Sequence, residues 1–108
     1  MKQVFVYIWE YIVKEDHLVA FKKVYGPQGE WVQLFRKADG YIATDLHQDI
    51  SNSKRFITVD FWNTKHDRDK FRVQFSEEFR MLDERCENYT EWEKLLGDFD
   101  CYNSRFSD

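Results

Sequence analysis

Apolar residues run almost unbroken from Val4 to Val13. Strand alternation divides this run into Phe5, Tyr7, Trp9, Tyr11 and Val13 on one side and Val4, Val6, Ile8, Glu10 and Ile12 on the other. A stretch that is apolar on both sides and rich in β-branched and aromatic residues predicts a central strand. Arg55 to Trp62 predicts another. Phe56, Thr58, Asp60 and Trp62 point one way, and Ile57, Val59 and Phe61 the other. The aliphatic set reads as the side that lies under helices. The mixed set holds a carboxylate between large rings, so it is expected to face a ligand cavity or a subunit interface. Tyr41 to Gln48 is a third strand, with Tyr41, Ala43, Asp45 and His47 set against Ile42, Thr44 and Leu46. The polar link from Asp49 to Lys54 joins it to the strand at Arg55.

Between the strands the period changes to three and four. Glu15 and Asp16 open a helix whose apolar face is Leu18, Phe21 and Tyr25, and Gly26-Pro27 ends it. Trp31, Leu34, Phe35 and Ala38 predict a second helical piece, with Asp39-Gly40 as the turn after it. Thr64 with Asp67 reads as a helix N-cap, followed by Phe71 and Phe75 one turn apart. Ser76 reads as a new cap, and Phe79, Leu82, Cys86 and Tyr89 form the stripe that follows. Thr90-Glu91-Trp92-Glu93 has the form of a capping box and predicts a short helix ending at Gly97. Phe99 to Tyr102 is then the expected short fourth strand.

This order is an α+β, ferredoxin-like split βαβ plan with helices on one face of the sheet. The other face is expected to carry the aromatics of the first strand and the Thr58, Asp60 and Trp62 set. A bare aromatic sheet face favours self-association, so a homodimer with two sheets packed into a barrel is expected. Residues 1–102 read as one domain and 103–108 as a loose tail.

Composition narrows the function. A net charge of −4 and no basic stripe argue against nucleic acid and anionic membrane as partners. Aromatic residues make up 19% of the chain, more than a minimal core of this size needs, which suits interfaces and flat apolar ligands. No apolar run reaches the ~20 residues of a membrane helix. Cys86 and Cys101 lack CxxC spacing and follow no secretory leader, which points to reduced thiols and a cytoplasmic location. His17, His47 and His66 match no metal-ligand spacing, and there is no glycine-rich phosphate loop. The acidic run Asp83, Glu84, Glu87, Glu91 and Glu93 reads as a solvated helix face.

The pattern Trp9-Glu10-Tyr11, Phe21, Tyr25-Gly26, Gly29-Glu30-Trp31, Leu34-Phe35, Gly40-Tyr41, Thr44, Asp49, Arg55-Phe56, Thr58, Asp60 and Trp62 resembles the antibiotic biosynthesis monooxygenase family. The later run Phe71, Phe75, Leu82-Asp83, Cys86, Thr90, Glu93, Leu96-Gly97 and Phe99 is similar to a bacterial branch of it. The resemblance spans nearly the whole chain and implies a dimeric α+β barrel. It is specific for fold and weak for activity, because the family hosts several chemistries.

One implied activity is cofactor-independent oxidation of a phenolic small molecule, in which the deprotonated substrate itself reacts with oxygen. Such a site needs aromatic walls, donors for a phenolate and a proton acceptor. Trp9, Trp31, Phe35, Trp62 and Phe71 are the candidate walls, and Tyr7, Tyr11, Tyr41 and His47 the candidate donors. Asp60 is preferred to Glu10 as the base. Glu10 reads instead as a structural partner of a basic residue such as Lys14, and Arg55 as a partner of Asp49 or Asp45. A second implied activity is haem degradation, but the first strand lacks the asparagine of those relatives and no histidine follows Phe71 in its helix. The alternative from another class is a non-enzymatic dimer that binds a small molecule or serves in a stress response.

Overall fold

The computed structural model describes residues 3–106. Four strands, β1 (Gln3–Val13), β2 (Tyr41–Gln48), β3 (Arg55–Trp62) and β4 (Thr90–Tyr102), form one sheet in the order β2-β3-β1-β4, with every neighbouring pair antiparallel. Helices α1 (Leu18–Tyr25) and α2 (Glu30–Phe35) connect β1 to β2, and α3 (Lys65–Gln74) and α4 (Ser76–Cys86) connect β3 to β4. The expected ferredoxin-like plan is therefore present, with β1 and β3 in the centre. Thr64 caps α3 as expected, its hydroxyl accepting from the Asp67 amide at 3.1 Å.

Two expectations are corrected. The capping-box signal at Thr90–Glu93 does not start a helix. β4 runs thirteen residues from Thr90, so the short strand expected at Phe99–Tyr102 is only its end. Pairing along the whole of β1, from Gln3↔Tyr102 to Val13↔Thr90, overrides the local helix preference. As a result Glu91 and Glu93 sit on a strand and not on a solvated helix.

The second correction concerns the faces. The helices cover the aromatic side of the sheet. Phe5, Tyr7, Tyr11, Phe56 and Trp62 share one buried cluster with Phe21, Tyr25, Trp31, Phe35 and Phe71 of the helices. Ring packs on ring: Trp62 lies 5.3 Å from Phe71, 5.4 Å from Tyr41 and 6.0 Å from Phe35. Aromatic helix faces need an aromatic counter-surface, and only this side of the sheet supplies one. The side without helices is mainly aliphatic. Val4, Val6 and Phe61 form its centre, with Ile8, Ile42 and Val59 half-buried around them. Glu10 also lies on this open side and pairs with Arg55 at 2.6 Å, not with Lys14, while Arg55 also reaches Asp49 at 3.2 Å.

Of the expected tail, Ser104–Phe106 forms a 3-10 turn, with the Arg105 guanidinium 5.6 Å from the Phe61 ring. Residues 107 and 108 lie outside the described part of the chain. No helix among the described residues is long and apolar enough to cross a membrane.

Candidate functional site

Asp60 sits mid-strand in β3, opposite Tyr7 of β1 and Thr44 of β2. It is 5% exposed, yet it borders a cavity of about 180 Å³ between the sheet and the helices. Thr44 donates its hydroxyl proton to Asp60 Oδ1 at 2.6 Å, and the Tyr41 hydroxyl lies 2.8 Å from Thr44. Because the single Thr44 proton goes to Asp60, Tyr41 donates to Thr44. This gives a relay from Tyr41 through Thr44 to Asp60. Asp60 Oδ2 has no hydrogen-bond partner among the described residues.

Burial dominates the acidity of Asp60 and pushes it from 3.8 up to about 7. The Thr44 hydrogen bond and the Arg68 guanidinium oppose the shift without cancelling it. Arg68 is itself nearly buried. It stacks 4.6 Å from the Tyr7 ring centre and 5.0 Å from Phe5, and reaches both Asp98 oxygens at 3.3 and 3.2 Å. It therefore ties α3 to β4 behind the cavity wall.

Tyr7 and Tyr11 bring their rings to the cavity from β1. Desolvation pushes both phenols well above their ordinary value, so both stay protonated. The Tyr11 hydroxyl lies 3.2 Å from Thr58 Oγ1. Trp9, Trp31 and Phe35 complete the expected wall. Tyr41, Trp62 and Phe71 stand back from the cavity, where Trp62 and Phe71 are packed in the core and Tyr41 acts only through Thr44. His47 lies exposed at the end of β2, far from any donor role.

Sequence reasoning missed Thr44, Tyr25, Arg72, Phe79, Asp83 and Glu93, all of which border the cavity. Thr44 was hidden by a shift in register between Tyr41 and Ala43, which puts Tyr41 and Thr44 on one face despite their odd separation. Arg72 was visible only as a cation one turn beyond Arg68. Its guanidinium lies 4.0 Å from the Phe79 ring centre and has no carboxylate partner among the described residues. Asp83 and Glu93 mark where the cavity meets solvent, between α4 and β4. Burial of its carboxyl and the nearby Asp83 charge push Glu93 up. Among the described residues no group of three His, Cys, Asp or Glu side chains is placed to hold a metal ion.

The cavity can thus admit a flat apolar molecule, present a proton acceptor at its floor and offer phenolic and guanidinium donors beside it.

Solved structures with this fold cover nearly the whole chain. A point mutant of SnoaB, a cofactor-independent oxygenase from Streptomyces nogalater, superposes with a TM-score of 0.78 and 11% identity over 99% of this chain and 100% of that one. Candidate antibiotic biosynthesis monooxygenases from Bordetella bronchiseptica and Nitrosomonas europaea give TM-scores of 0.71 and 0.68. Their identities are 17% and 16%, over 95% and 97% of this chain and 100% and 94% of theirs. No protein-family model and no curated protein matches the chain. The chain therefore has the α+β barrel fold of these monooxygenase structures.

Proposed function

We propose that this chain is a cofactor-independent oxygenase of phenolic small molecules and works as a homodimer. The observation that carries the reading is Asp60, a carboxyl buried in the sheet, raised to about 7, with one oxygen left free beside an aromatic-walled cavity. A phenol seated with its hydroxyl at Oδ2 passes its proton to Asp60. Free phenols ionise near ~10, so this transfer is uphill by about 3 units, or ~4 kcal/mol. Tyr7 and Tyr11 offset that cost by holding the phenolate oxygen.

The phenolate then gives one electron to dioxygen. The resulting aryloxyl radical and superoxide join at the ring carbon next to the one that bears the oxygen, and Asp60, beside it, returns its proton to the peroxide. Loss of the ring hydrogen as a proton cleaves the O–O bond and releases water. One phenol and one dioxygen give one quinone and one water, with no external reductant. SnoaB is a cofactor-independent oxygenase of the same fold, which supports this class of chemistry.

The homodimer rests on the uncovered face. Trp92 and Phe99 of β4 are 46% and 45% exposed there, opposite Ile12 and Val6 of β1. Sedimentation that returns only monomer at micromolar concentration removes this part of the proposal. For the chemistry, oxygen uptake is measured with simple phenols, comparing the wild type with Asp60→Asn. Uptake matching phenol loss one to one, and reduced to background by the substitution, is expected. Phenols that bind without any uptake would shift the assignment to a non-enzymatic binding protein.

A further inference from the structure

The cavity is small, and its charges are unevenly placed. Its volume of about 180 Å³ is close to the ~150 Å³ of an engineered apolar cavity that holds benzene. It lies well below the roughly 300–1,000 Å³ of pockets for larger ligands. The walls have little room to retreat. Tyr25 is stacked 4.1 Å from Phe21, and Trp31 is wedged 5.0 Å from Phe79 and 5.9 Å from Phe35. Close-packed interiors of this kind resist widening, since each ring is backed by another.

Three carboxylates border the space, Asp60 at the floor and Asp83 and Glu93 at the mouth, against the single guanidinium of Arg72. Arg72 is exposed on α3 with its guanidinium 4.0 Å from the Phe79 ring centre, and the cation that acts on Asp60 is Arg68, so a single guanidinium on the wall faces two carboxylates at the mouth. At the mouth, the charge that acts on Glu93 is that of Asp83. A ligand whose phenol reaches Asp60 therefore leaves its opposite end between two carboxylates and the faces of aromatic rings. Ring faces attract cations as well.

We infer that the cavity takes a single-ring phenol whose far substituent is neutral or positively charged, and that Asp83 and Glu93 turn anionic substituents away. The orientation of the phenol, hydroxyl inward, rests on the function proposed above. The size and charge limits rest on the cavity itself.

Calorimetric titration under argon, which prevents turnover, tests this with four probes: 4-ethylphenol, tyramine, 4-hydroxyphenylacetate and anthrone. The first three share one ring and differ in charge, and the fourth has three rings. 4-Ethylphenol and tyramine are expected to bind, tyramine at least as tightly. The acetate is expected to bind about tenfold more weakly than 4-ethylphenol, the scale of two carboxylates about 5 Å from an added negative charge in a wet mouth. Anthrone is expected not to bind. In an Asp83→Asn/Glu93→Gln double variant, which removes the two charges and keeps the side-chain shapes at two exposed residues, the acetate penalty is expected to disappear.

Anthrone binding as well as 4-ethylphenol overturns the size limit. An acetate that binds the wild type equally well, or a penalty that survives the double substitution, overturns the charge limit. Failure of both 4-ethylphenol and tyramine to bind overturns the inference whole. Oxygen uptake is measured separately in air: binding as expected without uptake overturns the oxygenase proposal and leaves this inference standing.

Discussion

Replacing Asp60 with asparagine should stabilise the protein at neutral and alkaline pH and abolish its oxidative chemistry. In the folded chain the carboxyl is raised to about 7 from an ordinary 3.8. Below pH ~4 Asp60 is protonated in both folded and unfolded chains, and no penalty exists. As pH rises from about 4 to about 7 the unfolded chain gives up this proton and the folded one keeps it, so stability falls by ~1.4 kcal/mol per unit. Above about 7 the folded carboxylate is charged and buried, and the loss levels off at about 4 kcal/mol. Asparagine has the same shape, and its carbonyl can accept the Thr44 hydroxyl without carrying charge. Urea unfolding of both proteins at pH 4.5 and pH 8 isolates the effect, because every other titrating group is common to the two. The asparagine variant is expected to gain about 3 kcal/mol on the wild type between these two pH values. A difference that stays constant across the range would mean that Asp60 is ionised throughout. The case for a proton acceptor poised near neutrality would then fail. The expected combination, more stable and inactive, is characteristic of a group kept buried for its chemistry.

Thr44→Val removes the hydrogen bond that holds Asp60 down, so the carboxyl should rise further; the base must be ionised to act, and the rising limb of the oxygen-uptake pH profile should move to higher pH, with Thr44→Ser restoring it. Arg68→Met loses the two Asp98 contacts and the stacking on Phe5 and Tyr7; a loss of about 2 kcal/mol in urea unfolding is expected, smaller than for a fully buried pair because Asp98 is partly solvated. Gly97→Ala should cost about 1 kcal/mol or more, since Gly97 has φ of +151° and an added Cβ would lie 3.0 Å from the Phe99 ring; an unchanged melting temperature would show that β4 relaxes freely at this point.

Strand alternation made the composition of each face legible. The grouping of Tyr7, Tyr11, Phe56, Thr58, Asp60 and Trp62 follows from a period of two, and these residues share a face in the fold. Which face meets the helices was not legible from the strands, because both sets are apolar enough to be buried. It is settled by the partner surface: Phe21, Trp31, Phe35, Phe71 and Phe79 present rings, and rings pack best on rings. The fourth strand was illegible for a different reason. Thr90-Glu91-Trp92-Glu93 is locally a good helix start, and its fate is decided by pairing with a distant strand, β1, at the other end of the sequence. The cavity residues were readable on the central strands and on α2, and hidden on the edge strands and on α1, α3 and α4.

The two edge strands fail to alternate for a common structural reason, and it bears on the site. Tyr41 pairs with Trp62, and an unbroken register from there would place Ala43 opposite Asp60. The shift after Tyr41 places Thr44 there instead, so both hydroxyls of the relay face the carboxylate. On the other edge, Ile8 pairs with Gly97, and an unbroken register would place Lys94 opposite Tyr11. The shift between Ile8 and Trp9 brings Glu93 there, turning its carboxylate toward the cavity mouth. Gly97 adopts a positive φ beside this second shift, a conformation with little cost for glycine. Bulges re-aim side chains at a cost in regular pairing, and they gather next to functional sites. Here one bulge supplies the hydrogen bond that moderates Asp60, and the other supplies an acidic group at the entrance. The central strands alone would enclose a carboxylate among rings; the irregular edges give it a partner on one side and an electrostatic gate on the other.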